Sequence, residues 1–169
     1  AASDVYKRQV LMKGLVSSAD FLRAVLNKEV GLRTGKTLSS VTVLKTEKMD
    51  RFVIMTDGGM NMYPTLEEKV HILENTVPVC KALEIEDPKA AAVCAVEVVN
   101  PAMQATLDAA TLAVMSQRGQ IKGITVDGPL GMDNALSEEA AKHKGITSPV
   151  AGKADVVPVS YTHLTLPTI

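Results

Sequence analysis

The sequence predicts an α/β fold. Short apolar runs alternate with amphipathic stretches of helical period, the pattern of βαβ units. Two of the apolar runs lead directly into Asp-Gly, at Asp57 and Asp127. The composition is that of a chain with a packed core: 46% of the 169 residues are hydrophobic and 22% are charged, far from a disordered balance.

The elements follow in order. Val10-Leu-Met-Lys-Gly14 reads as a strand, and Ser17 to Asp20 as a capping box opening a helix through about Leu26. Gly31 to Gly35 is a loop. Ser39 to Leu44 alternates polar and apolar residues, as a strand does. Arg51 to Thr56 is a continuous apolar run and reads as a buried strand. Thr65-Leu-Glu-Glu68 is a second capping box, after which Leu66, Val70, Leu73 and Val77 share one helical face. Pro78 falls within that pattern and is expected to kink or interrupt the helix. Lys89 to Val99 reads as a strand, and Asn100-Pro101 as the start of a helix to about Arg118. Lys122 to Val126 reads as a strand. Ser137 opens a helix that ends at Lys144, before Gly145, and Asp155 to Val159 forms a last strand. The two Asp-Gly pairs are expected just beyond strand ends, where open α/β sheets hold their ligands. An Asx-turn at a tight bend is the local alternative.

Composition also excludes functions. Lys plus Arg number 18 and Asp plus Glu 19, net −1, which is no basic nucleic-acid surface. Aromatic residues are 3% and Trp is absent, so stacking platforms for bases are not expected. No apolar run has the length of a membrane span, and no secretory leader is expected. Two cysteines, Cys80 and Cys94, do not make a disulfide scaffold and fit a reducing cytoplasm. The histidines lack metal-ligand spacing. No Gly-x-Ser-x-Gly elbow or complete phosphate loop occurs. Thr34-Gly-Lys-Thr37 lacks the first glycine and precedes a strand, not a helix.

Many phrases in order resemble the phosphate acetyl/butyryltransferase family. They are Leu11 to Val16, Phe21 to Lys36, Ala95 to Pro101, Asp108 to Ala110, Arg118 to Gly123, Val126 to Leu130 with Asp133, Ser137 to Gly145, and Val150 to Asp155. The resemblance implies reversible acyl transfer between CoA and phosphate, with CoA as a substrate and no metal or nicotinamide cofactor. It implies a three-layer α/β/α architecture like that of isocitrate and isopropylmalate dehydrogenases, with two domains and a cleft between them, usually in a homo-oligomer. On this reading residues 10–45 close the first segment of one domain and 46–159 form most of a second. The ends, 1–9 and 160–169, resemble translated sequencing-adapter sequence and are set aside as artefactual tails. The family's Pro-Asp-x-Glu-x-Gly-Asn-like stretch and late Ser-Arg-x-Asp-Ser-like motif would follow Val159. That late motif carries the main acid/base and oxyanion groups, so no catalytic residue is expected within this chain.

Both substrates of that reaction are anions, which calls for cations and helix N-termini. Lys13 and Gly14, just before the Ser17 helix start, form one candidate anion pocket. Arg33, with Thr34, is the best basic loop candidate, because a guanidinium grips phosphate bidentately; a solvated loop Arg is its alternative. Glu97 sits in an apolar strand with Asn100 close behind, and a charge there needs a cleft or an ion-pair partner. Asp127, Gly128 and Asp133 either line the interdomain cleft or cap the following helix. Two other function classes stay open: an oxidoreductase of the related dehydrogenase fold, for which Gly-x-Gly-x-x-Gly is missing, and a non-catalytic α/β segment.

Overall fold

A computed structural model describes residues 11–45 and 49–158. The chain divides into two compact units, 1–36 and 37–169.

Among the described residues, the first unit holds one helix, α1 (Ser18–Val25). The Ser17 hydroxyl accepts the Asp20 N–H at 3.1 Å and donates to the Asp20 carboxylate at 2.7 Å. This occupies one of the donors that a helix start leaves unpaired. No residue of α1 is buried. Leu11 to Gly14 are not in a strand, contrary to the sequence expectation, and Val10 lies outside the described residues. A strand needs a ladder partner, and residues 11–36 contain no strand that could be one.

The second unit is a five-stranded sheet with helices. Its elements are β1 (Val41–Leu44), β2 (Val53–Thr56), α2 (Leu66–Ala82), β3 (Lys89–Val93), α3 (Gln104–Gln117), β4 (Thr125–Leu130), α4 (Met132–Leu136), α5 (Glu138–His143) and β5 (Val156–Pro158). The strand order is β1-β2-β5-β3-β4. Among the described strands only β1 is antiparallel to its neighbour. The α/β class read from the alternation therefore holds.

Helices cover both faces. Ala90 belongs to a core cluster with Leu73 and Cys80 of α2 and Leu112 of α3. Ala91, the next residue of β3, packs with Ala135 of α4 and Ala141 of α5. Successive strand residues point to opposite faces, so each cluster seals one side of the sheet. Arg51 ties the start of β2 to the chain entering β5: its guanidinium donates to the Ala154 carbonyl at 2.7 Å and the Asp155 carboxylate at 3.1 Å. Among the described residues no helix is long and apolar enough to cross a membrane.

Several boundaries differ from expectation. α2 runs through Pro78 without interruption. Its capping box is complete, with Glu68 N–H on the Thr65 hydroxyl and Thr65 N–H on the Glu68 carboxylate. Burial of Ile72, Leu73, Thr76 and Cys80 on both sides of the proline holds the helix to the sheet, and tertiary packing outweighs the local cost of one proline. β3 ends at Val93 instead of Val99, because β4, its only partner beyond that point, ends at Leu130, which pairs with Val93. α3 begins at Gln104, not at Asn100-Pro101. The Asn100 side chain is taken by a local turn, accepting the Ala102 N–H at 3.0 Å, while the Thr106 hydroxyl accepts the Asn100 N–H at 2.9 Å.

The strand predicted at Lys122 to Val126 spans Thr125–Leu130. Asp127-Gly128-Pro129 is thus inside a strand and not a turn beyond one. Asp127 pairs with Ala91, and Pro129, which has no N–H to donate, is tolerated because β4 is an edge strand. The short α4 was not anticipated. β5 ends at Pro158, with Val159 outside the described residues.

Candidate functional site

β2, β5 and β3 run parallel, so their carboxyl ends meet at one edge of the sheet. A cleft open to solvent lies there, between those strand ends, α2 and α3. This is the position at which open α/β sheets bind ligands.

One wall begins at Asp57, directly after β2 and only 3% exposed. Its Oδ1 accepts the Ser40 N–H at 3.2 Å, the Ser40 hydroxyl at 2.6 Å and the Met60 N–H at 3.2 Å. Its Oδ2 accepts the Asn61 N–H at 2.8 Å and the Asn61 side-chain amide at 2.5 Å. Burial pushes the Asp57 carboxyl up, but the bonds from Ser40, Asn61 and Met60 outweigh it and hold the group below its ordinary value. Asp57 is therefore an ionised anchor for the turn that forms the cleft's edge.

The opposite wall carries an ion pair. Lys69 Nζ of α2 lies 2.5 Å from Asp108 Oδ2 of α3, with side chains 17% and 15% exposed. The other Asp108 oxygen accepts the Gln104 amide at 2.8 Å. The floor between the walls is apolar, formed by Ala92, Ala105, Ala109 and Leu112 with Leu73. Cys94, at the end of β3, has its thiol on the Ala105 carbonyl at 3.4 Å. Burial is the main cause that pushes this thiol up to about 11, so it is a neutral group at neutral pH.

The substrate-binding residues expected from sequence are not among those lining this cleft. Lys13, Gly14, Arg33 and Thr34 are in the first unit and exposed. Lys13 Nζ donates to the Ser18 hydroxyl at 3.1 Å, and a side chain at Gly14 would meet open space. Glu97 and Asp133 come together in the second unit around Lys144, whose ammonium is 2.6 Å from Glu97 and 2.9 Å from Asp133. Glu97 also accepts the side-chain amide of the fully buried Asn134 at 2.9 Å. The bond from Lys144 holds both carboxyls below their usual range, and the two acids raise Lys144. Asp127 accepts the Gly128 N–H at 2.9 Å. A Cβ on Gly128 would lie 2.7 Å from the Ala92 carbonyl oxygen, so glycine there lets β4 approach β3 closely.

Of the cleft residues, the sequence signals Asp57, through the Asp-Gly pair after an apolar run, and Asp108 only as the start of the family phrase Asp108 to Ala110. Lys69 and Asp108 lie four and five positions into their helices, where a charge carries no local signal of a site. Among the described residues no group of three His, Cys, Asp or Glu side chains is arranged to hold a metal ion.

Comparison with known proteins agrees with this frame. A family model described as phosphate acetyl/butaryl transferase matches residues 4–158. The chain is 63% identical over 150 residues to a phosphate butyryltransferase of Clostridium acetobutylicum, covering 89% of this chain and 50% of that protein. It is 52% identical over 147 residues to a phosphate acetyltransferase of Thermotoga maritima, covering 87% of this chain and 50% of that one. A branched-chain phosphotransacylase from Enterococcus faecalis superposes with a TM-score of 0.76 at 31% identity, covering 87% of this chain and 52% of that structure. The chain spans about half the length of the curated relatives it matches.

Proposed function

The chain belongs to the phosphate acetyl/butyryl transferase family, and from that premise we propose that it is part of an enzyme exchanging a short acyl group between CoA and phosphate. In one direction the CoA thiolate attacks the carbonyl carbon of an acyl phosphate. A carbon–sulfur bond forms, the carbon–oxygen bond to phosphate breaks, and phosphate leaves with the electron pair. The observation that carries the reading is the 63% identity to a phosphate butyryltransferase across 150 residues. The cleft at the carboxyl ends of β2, β3 and β5 supports it, because it joins an apolar floor to a charged wall. An acyl phosphate has the same two-part character.

The architecture is of the isocitrate dehydrogenase kind, with residues 10–45 closing one segment of a first domain and 46–159 forming most of a second. Lys13, Gly14, Arg33 and Thr34 contact substrate phosphates. Glu97, Asn100, Asp127, Gly128 and Asp133 are further substrate-binding residues. The full enzyme is a homo-oligomer in the cytoplasm, and its acid/base groups come from sequence outside this chain.

The test compares the full-length protein containing this segment with the 169-residue chain. Butyryl-CoA and phosphate are supplied, and free thiol is followed with time. The full-length protein is expected to release CoA only when phosphate is present, and the 169-residue chain to release little. A full-length protein without phosphate-dependent CoA release overturns the reading. Equal turnover by the shorter chain overturns the assignment of the acid/base groups.

A further inference from the structure

We infer that Lys69 is a phosphoryl-contacting residue of the cleft and that Asp108 positions it. This rests on the acyl-transfer reading above and adds a residue to it. An ammonium has three N–H donors. Among the described residues the Lys69 Nζ has one partner, Asp108 Oδ2 at 2.5 Å. Two donors remain on a side chain that is only 17% exposed and lines the cleft.

A mostly buried ion pair on an apolar wall is a poor device for stability. Two apolar side chains of similar size in its place are commonly as stable or more so. Its distinctive property is a cation held at low dielectric with donors to spare. Asp108 is itself fixed, since Gln104 occupies its second oxygen at 2.8 Å. The carboxylate therefore sets where the ammonium sits without taking all its donors. Lys69 is also the only cationic side chain lining this cleft among the described residues. Asp57, the other acid there, is engaged on both oxygens by Ser40, Met60 and Asn61. A phosphoryl group entering the cleft thus meets the two remaining donors of Lys69. The group belongs to phosphate or acyl phosphate; the alternative source is a phosphate of CoA.

The test uses the full-length enzyme containing this segment, assayed with butyryl-CoA and phosphate. Lys69→Met alone would leave Asp108 unpaired, so the informative variant is Lys69→Met with Asp108→Leu, which removes both charges. The expected result is at least a tenfold rise in the KM for phosphate, with the KM for butyryl-CoA within twofold of the parent. Lys69→Arg, which keeps the charge, should bring the phosphate KM back to within about threefold. If the double variant does not fold, Lys69→Gln, which keeps a donor for Asp108, carries the same expectation. A phosphate KM within twofold of the parent overturns the inference. A rise confined to the KM for butyryl-CoA overturns it too, and gives the contact to CoA. In both cases an active parent enzyme leaves the acyl-transfer reading standing. A parent without phosphate-dependent turnover fails that reading and removes this inference with it.

Discussion

Two lysines in the second unit are each held by carboxylates, in different surroundings. Lys69 meets Asp108 on the wall of the cleft, with both side chains mostly buried. Lys144 meets Glu97 and Asp133 nearer the surface, where it is 41% exposed. By count of partners Lys144 is the better satisfied. By physics its pairs are the weaker, because water and salt screen exposed charges, whereas the cleft pair interacts at lower dielectric. The number of charges in a cluster is therefore a poor guide to where a site lies. Depth beside an open cleft is a better one, and by that measure the Lys69 wall stands out.

That contrast can be broken by removing one partner from each cluster. The largest effect is expected from Asp108→Ala, which strands the Lys69 ammonium and should cost about 3 kcal/mol, read as a fall in the urea midpoint of the second unit's transition. A loss below about 1 kcal/mol would place the cleft pair with ordinary surface pairs.

The next effect is a pH dependence. The folded Asp57 carboxyl lies below its ordinary value of 3.8, so the folded state binds fewer protons than the unfolded state as pH falls past that value. The stability Asp57 contributes is thus fully present above about pH 5 and is lost as pH drops through the folded value. Asp57→Asn should flatten the stability profile below about pH 5. An unchanged acid limb would mean that Asp57 is not an ionised anchor.

The smallest effect is expected from Lys144→Ala. Its shift in the urea midpoint should be well below that of Asp108→Ala and should vanish in about 1 M NaCl, where the screening length is ~3 Å. A salt-resistant loss as large as that of Asp108→Ala would erase the distinction between the clusters.

The contrast also explains what was legible in the sequence. Glu97 drew notice because it interrupts an apolar run, Val96 to Val99. Lys69 and Asp108 lie on helices where charges are unremarkable, and nothing local says that α2 and α3 bring them together over the end of β3. Asp57 was visible because Asp-Gly after a buried run marks a strand end. The same dipeptide at Asp127 misled, since β4 extends through it to Leu130 alongside β3.

By itself the sequence determined what rests on neighbours within a few positions. The α/β alternation, the helix starts at Ser17, Thr65 and Ser137, and the buried run that became β2 all follow from side chains meeting their own backbone or from a local period. The order of family phrases likewise made the resemblance readable. Only the tertiary structure decided the strand order β1-β2-β5-β3-β4, the passage of α2 through Pro78, the end of β3 at Val93 and the late start of α3. Each depends on which distant segment supplies a ladder partner, a covering face or a competing hydroxyl. The cleft belongs to that second group, because its walls come from α2, α3 and three strand ends that only folding brings to one edge of the sheet.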